Sequence, residues 1–179
     1  MWPRVVAVIL SMSLLAGCGF RPLYGQHSND PQVSLEMAGI DVRPIADRDG
    51  QLLHNALLSR LNPGGEPDHA RYRLETALVV NERQVALQRD ETASRASVSF
   101  TANYTLFENQ TPVTNGHISR IFSYDYIPQQ YSNITARADV ARRAAEEIAN
   151  EIRNRMAVYF VGATKARASA QPPAADSGQ

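Results

Sequence analysis

The chain has 179 residues, the length of one domain, and its 44% hydrophobic content is ordinary for a soluble core. Its 18 Lys and Arg residues balance 18 Asp and Glu residues, which excludes a broad basic face for nucleic acid. Cys18 is the only cysteine, so an internal disulfide is also excluded.

The amino-terminal stretch predicts export and lipid attachment. Arg4 precedes an apolar run from Val5 to Leu15, which is too short to cross a bilayer but suits the apolar region of a signal peptide. Leu15-Ala16-Gly17-Cys18 resembles a lipobox, in which the cysteine is acylated after cleavage on its amino side. We therefore predict a signal peptide over residues 1–17 and a lipid anchor on Cys18, with a diacylglycerol and an N-acyl chain. Gly19 stands where an Asp would retain an enterobacterial lipoprotein in the inner membrane, so the resemblance points to the outer membrane.

A tether and a first strand are predicted next. Residues 18–33 contain prolines, a glycine and several polar residues, which indicates an extended tether between the lipid and the domain. From Ser34 to Val42 the apolar residues alternate, with a change of phase at Gly39. That pattern predicts a strand with a bulge or a late start at this glycine.

The first helix is predicted between two groups of breakers. Pro44 ends the strand, Asp47 or Asp49 is available as an N-cap, and Asn62-Pro63-Gly64-Gly65 stops the helix. Between them the leucines follow helical spacing at positions 53, 57, 58 and 61.

Three further strands are predicted as an antiparallel meander. The second runs from about Arg71 to Val85, and the third alternates apolar and polar residues from Ala96 to Leu106. Turn residues between Glu108 and Gly116 precede a fourth strand over Ile118 to Tyr126. One face of this sheet is expected in the core and the other in water.

A long second helix closes the predicted domain. Ser132 or Asn133 is available as its cap, and it is followed by an apolar stripe of Ile134, Ala138, Ala141, Ala145, Ile148, Ile152, Met156 and Tyr159. Residues 162–179 lack an apolar period, which predicts a disordered tail. The fold class is α+β, a β-α-β-β-β-α sandwich over residues 34–161 with two helices on a mostly antiparallel four-stranded sheet. The other sheet face or its edges remain for a partner.

No pattern for catalysis or metal binding is found. The usual nucleophile, phosphate-loop and dinucleotide motifs are missing, and the four histidines are not at metal-ligand spacing. We predict no enzyme activity, no metal and no cofactor.

Several segments together resemble the LptE family of lipopolysaccharide-assembly lipoproteins, in its alphaproteobacterial form. The resemblance extends over residues 18–161 and is carried by the segments Cys18–Gly25, Ile40–Leu57, Tyr72–Leu74, Arg89–Arg95, Asn103–Leu106, Phe122–Asp125 and Ala136–Ala144.

The resemblance implies a non-enzymatic subunit of the outer-membrane lipopolysaccharide translocon. Such a subunit plugs the lumen of the LptD β-barrel, helps the barrel to assemble and binds lipopolysaccharide. The family's lipopolysaccharide contacts match Arg89 and Arg137 here, and Arg95 and Arg120 are weaker candidates. The guanidinium group of arginine can bind a phosphate group through two parallel hydrogen bonds. The alternative interpretation is that Arg89 and Arg137 are ordinary solvated surface residues. The alternative function is an outer-membrane lipoprotein that scaffolds or activates an envelope enzyme.

Overall fold

The computed structural model describes residues 31–86, 94–126 and 130–170, and within those ranges it contains three helices and four strands. In chain order these elements are α1 (Pro31–Ala38), β1 (Ile40–Val42), α2 (Asp47–Leu61), β2 (Tyr72–Ala86), β3 (Ser94–Glu108), β4 (Thr111–Tyr126) and α3 (Gln130–Ala170). The predicted α+β class and the β-α-β-β-β-α order are confirmed, with α1 as an additional helix.

The four strands form one mixed sheet in the order β1-β2-β3-β4. β1 pairs in parallel with β2, since α2 carries the chain back to the same end of the sheet between them. β2, β3 and β4 pair antiparallel along nearly their whole length, as the alternation predicted. The sheet is therefore antiparallel except at its short first strand.

All three helices contribute buried residues to one core, which lies against one face of the sheet. On β3 the alternate residues predicted for the core are all buried. They are Ala96, Val98, Phe100, Ala102, Tyr104 and Leu106. The residues between them face away from the helices. The alternation of apolar and polar residues along β3 therefore correctly predicted which face of the sheet the helices cover.

The region predicted as a first strand from Ser34 to Val42 is mostly helical, and that prediction was wrong. Val33 and Met37 are buried four residues apart, whereas Leu35 is 73% exposed, so the burial follows a helical period. α1 begins at Pro31, a residue favoured in the first helical turn, inside the predicted tether. Only the three residues after Gly39 form a strand.

Helix α2 ends where its breakers predicted, but it begins without the predicted cap. The N-cap is Ala46, and no side chain bonds to the free amides, although Asp47 and Asp49 place negative charge in the first turn. At the other end the buried Asn62 amide donates to the carbonyls of Ala38 and Ile40, at 3.0 and 3.1 Å. This side chain joins the end of α2 to α1 and β1.

The turn between β3 and β4 is tighter than predicted. Asn109 and Gln110 occupy it with positive φ angles of 48° and 71°, and β4 starts directly afterwards at Thr111. Gly116 therefore lies within the strand, not in a turn. A Cβ atom there would lie 2.6 Å from the Tyr104 hydroxyl oxygen, which explains the glycine.

Helix α3 has 41 residues and is longer than predicted. It continues through residues 162–170, which were predicted to belong to a disordered tail, while residues 171–179 lie outside the described part. The predicted stripe is buried from Ala141 to Met156, but Ile134 is 58% exposed and Phe160 takes the core position expected for Tyr159. The last turns are alanine-rich, which favours helix without requiring core burial.

Candidate functional site

Two of the predicted site residues lie outside the described ranges. Cys18 belongs to the first 30 residues, and Arg89 belongs to residues 87–93, between the end of β2 and the start of β3. The lipid anchor and a lipopolysaccharide contact at Arg89 therefore stay predictions.

Arg95 and Arg120 lie on opposite faces of the sheet. Arg95 is at the start of β3 on the face away from the helices, where its guanidinium is 3.4 Å from the Asp125 carboxylate. Arg120 points towards α3, and its guanidinium nitrogens are 3.7 and 3.9 Å from the carboxylates of Glu147 and Glu151. Since the sheet separates these two arginines, one phosphate group cannot meet both.

Arg137 is the centre of a set of ion pairs that joins four elements, named here the Arg137 cluster: Arg137, Asp49, Glu82 and Tyr124. Its Nη2 atom donates to Asp49 Oδ2 at 2.6 Å, and its Nε atom donates to Glu82 Oε2 at 3.0 Å. The Tyr124 hydroxyl donates to the other oxygen of Glu82 at 2.6 Å. The cluster therefore connects the first turn of α2 and the second turn of α3 with β2 and β4.

The electrostatics of the Arg137 cluster favour the charged arginine. Partial burial alone would lower the pKa of Arg137, but hydrogen bonds and attraction from Asp49 and Glu82 raise it. Burial and the hydrogen bond to Glu82 raise the pKa of Tyr124 to about 12. Two carboxylates around one guanidinium leave the cluster one negative charge, so it does not attract an anion.

A second group of ion pairs lies near the other end of α3 and is named the Arg167 cluster: Arg167, Arg71, Glu36, Glu108 and Tyr72. Arg167 reaches Glu36 at 3.1 Å and Glu108 at 3.8 Å, while Arg71 reaches the same two carboxylates at 3.5 and 2.8 Å. The Arg167 guanidinium also donates to the Tyr72 hydroxyl at 3.4 Å. The charges of its two arginines and two glutamates cancel, so the cluster has no net charge.

The face of the sheet turned away from the helices is open and poor in charge at its centre. We call it the hydroxyl face and define it by Ser97, Ser99, Thr101, Asn103, Ser119 and Ser123. The Thr101 and Ser119 hydroxyls are 3.2 Å apart, and Val79 and Ile121 are exposed beside them. Sequence alternation predicted this wet face, but not that its charged residues would lie towards its ends.

Neither a metal site nor a spanning helix is found in residues 31–86, 94–126 and 130–170. No three side chains of the metal-ligating types converge in these ranges. No helix within them has an apolar stretch long enough to cross a bilayer.

Comparison with known proteins identifies relatives over most of the chain. A family model described as LptE, lipopolysaccharide-assembly, matches residues 37–156. An uncharacterized protein of Rickettsia prowazekii (strain Madrid E) is 24% identical over 156 residues, which cover 86% of this chain and 96% of the relative.

Solved structures share the fold. A lipoprotein candidate from Caulobacter crescentus CB15 superposes with a TM-score of 0.61 at 27% identity, covering 73% of this chain and 96% of that one. The rare lipoprotein B from Shewanella oneidensis superposes with a TM-score of 0.55 at 12% identity, covering 69% of this chain and 99% of that one. At 12% identity the second likeness concerns the fold alone.

Proposed function

The chain belongs to the LptE lipopolysaccharide-assembly family, and we propose that it is the outer-membrane lipoprotein subunit of a lipopolysaccharide translocon. In this role it plugs an LptD-type β-barrel, assists its assembly and binds lipopolysaccharide for delivery to the cell surface. It works as a binding subunit without catalytic chemistry, held at the periplasmic side and in the barrel lumen by lipid on Cys18.

The hydroxyl face is the observation that carries the proposal of a plug. The inner wall of a large membrane barrel is polar, so a domain inside it needs a surface that forms hydrogen bonds. Ser99, Thr101 and Ser119 offer hydroxyls on a sheet face whose centre has no charged side chain in the described ranges. Such a surface enters a confined lumen without the large desolvation cost of unpaired charges.

A lipid anchor on Cys18 is compatible with a position of the domain inside a barrel. α1 begins at Pro31, thirteen residues after Cys18, so the chain between them spans at most about 47 Å when fully extended. That length allows the domain to lie next to, or within, a barrel that opens into the same leaflet.

Lipopolysaccharide contact is proposed for Arg95, at the start of β3, and for Arg89, six residues before it in the sequence. The Arg95 side chain is about half exposed and has one acidic partner, so its fork remains accessible to phosphate. Arg137 and Arg120, which contact acidic side chains of neighbouring elements, are proposed to position the helices.

A pair of matched substitutions tests the plug. Asn103→Arg places a long cation in the centre of the hydroxyl face, whereas Asn154→Arg places the same change on the exposed surface of α3. In a Gram-negative host, the tagged full-length chain with Asn154→Arg should copurify with the barrel in mild detergent as the wild type does. The Asn103→Arg chain should recover at least about ten-fold less barrel, because the cation loses hydration inside a packed lumen.

Two outcomes contradict this proposal. Equal recovery of the barrel by both variants would show that the hydroxyl face does not meet the wall. Capture of a soluble periplasmic enzyme in place of a barrel would favour the scaffold function. Circular dichroism of both purified variants checks that each is folded.

A further inference from the structure

A groove between α1 and the last turns of α3 lies beside the Arg167 cluster. It encloses about 490 Å³, which is within the range of sites that enclose a small ligand. Its apolar wall is Leu35 on α1, and its opposite wall includes Thr164 and Arg167 on α3. Leu35 is 73% exposed, so most of this apolar wall is left uncovered by the described part of the chain.

The charged residues that line this groove already pair with each other. Arg71 and Arg167 both line it, and they lie 3.5 and 3.1 Å from the Glu36 carboxylate. The Arg71 guanidinium also lies 5.4 Å from the centroid of the Tyr72 ring. Because a guanidinium that is hydrogen-bonded at its edge still offers its flat face to an aromatic ring, the groove suits apolar and aromatic side chains better than an ion.

The segment that precedes α1 contains side chains of this kind. Residues 19–30 lie outside the described part of the chain, and their large apolar side chains are Phe20, Leu23 and Tyr24. Their charged residues are one Arg and one Asp, so the segment has no net charge and matches the neutral groove. The proposed contact with a barrel does not use these apolar side chains.

The length of chain before α1 allows these side chains to reach the groove. Tyr24 lies seven positions before Pro31, which corresponds to at most about 25 Å of extended chain. Leu35 lies four residues after Pro31, only about 6 Å along the helix axis. The chain must reverse its direction to run back along α1, and Gly25 and Asn29 are residue types that favour such a turn.

The carboxyl-terminal segment is the competing occupant by position, because residues 171–179 follow α3 directly. Alanine and proline are its only apolar residues, so its burial would remove little apolar surface from water. Asp176 also gives it a charge for which the neutral groove has no spare partner. The chemistry of the groove therefore favours the amino-terminal segment.

We propose that Leu23 and Tyr24 bind in the groove between α1 and α3, against Leu35 and Thr164. The contact removes the apolar side chains of both partners from water. The Tyr24 ring stacks on a guanidinium of the Arg167 cluster, where an uncharged ring needs no counter-ion.

This docking decides which end of the domain lies near the lipid. Leu23 is five residues after Cys18, so the docked chain holds the groove within about 18 Å of the anchor. Without docking, the thirteen residues from Cys18 to Pro31 allow about 47 Å. The inference rests on the proposed function only for the lipid on Cys18, and the docking itself does not depend on a barrel.

Disulfide crosslinking to the α3 wall tests the position of the segment. Leu23→Cys is combined with Thr164→Cys, which lines the groove, or with Lys165→Cys, its more exposed neighbour outside the lining, as the matched control. The full chain is expressed in a Gram-negative host, where the oxidising periplasm permits the bond and an acylated Cys18 has no thiol. Mass spectrometry of unreduced peptides should find at least about five-fold more disulfide in the Thr164→Cys chain.

A second pair tests the α1 wall. Tyr24→Cys is combined with Leu35→Cys or, as the control, with Ser34→Cys, which is also exposed, does not line the groove and is one residue closer to the segment. The Leu35→Cys chain should again contain at least about five-fold more disulfide. Equal yields at the groove and control positions in both pairs would overturn the docking. A disulfide between two copies, or one from Ser177→Cys to Thr164→Cys in place of Leu23→Cys, would assign the groove to another occupant.

Thermal unfolding of the lipidated chain in detergent tests the contact without new thiols. Leu23→Ser with Tyr24→Ser should lower Tm by at least about 3 °C, whereas Gln26→Ser with Asn29→Ser should leave it unchanged. When Leu35→Ser is already present, the first double change should lower Tm by less than half as much, because its partner is already lost. The same fall with and without Leu35→Ser would contradict the contact.

The docking and the proposed function fail separately. If the groove positions crosslink while no barrel is recovered, the translocon role is rejected and the docking remains. If the barrel is recovered while groove and control positions crosslink equally, only the docking is rejected.

Discussion

The Arg137 cluster and the Arg167 cluster hold the two ends of the same helix by different means. Thirty residues of α3 separate the two arginines, which corresponds to about 45 Å along the helix axis. The Arg137 side chain is 24% exposed and meets two carboxylates at hydrogen-bond distance, whereas Arg167 is 47% exposed and shares its carboxylates with Arg71. The Arg137 cluster therefore has a single guanidinium for its two carboxylates. In the Arg167 cluster, Arg71 can still pair with both glutamates when Arg167 is lost.

This difference separates structural arginines from accessible ones. A partly buried guanidinium with two acidic partners cannot be removed without leaving those acids unpaired, so its loss affects folding. An exposed arginine in a balanced group contributes little to stability, because water and neighbouring charges screen it. A basic residue near the start of the last helix is therefore not by itself evidence of an anion site.

The largest effect is expected from Arg137→Gln. Because Asp49 and Glu82 would lose their shared partner in a partly buried position, the free energy of unfolding should fall by about 2 kcal/mol and Tm by about 6 °C. Urea and thermal unfolding measure the change. Arg142→Gln is the matched control on the same helix, where an exposed pair is lost and Tm should change little. A Tm for Arg137→Gln within 1 °C of the control would contradict the structural role. Adding Glu82→Gln to Arg137→Gln should restore part of the lost stability, because it removes one of the two unpaired acids.

A smaller effect is expected from titration of Tyr124. Its pKa of about 12 exceeds the value of about 10 for an unfolded tyrosine, so between these values the unfolded state loses its proton first. Stability is therefore unaffected by this group below pH 10 and falls as pH rises towards 12, by about 1 kcal/mol after allowance for solvent screening. Chemical unfolding at several pH values should show a shallower decline in Tyr124→Phe. Tyr72→Phe, in the Arg167 cluster, should change the slope less, and an identical slope in Tyr124→Phe and wild type would contradict the assignment.

The smallest effect is expected from Arg167→Gln. Arg71 still pairs with both Glu36 and Glu108 after this change, and the lost contacts are exposed, so Tm should fall by only about 1–2 °C. Arg71→Gln combined with Arg167→Gln removes both cations and should lower Tm by more than the sum of the single changes. Differential scanning calorimetry distinguishes these cases, and strict additivity would indicate that the two arginines do not share their partners.

Most of the fold could be predicted from residue patterns. The alternation in β2 and β3 and the turn residues after Leu61 correctly located three of the seven elements to within two residues at most ends. The segment around α1 was misassigned because a short helix and a short strand can contain the same apolar residues. Leu35 and Met37 alternate as in a strand, but only Met37 is buried, and Leu35 faces solvent. The end of α3 was missed because alanine-rich turns with few core contacts have no apolar period.

The sequence by itself determined which face of each strand is covered, the order of the elements and the family resemblance, because these properties are local and repeat along the chain. Tertiary structure alone decided what each arginine does. Arg137 meets Asp49, 88 residues away, and Glu82, 55 residues away, whereas Arg48 meets no acid in the described ranges. Spacing along the chain does not encode contacts between elements that are so far apart in sequence. The distinction between an arginine that joins two helices and one without an acidic partner in the described ranges therefore exists only in the folded molecule.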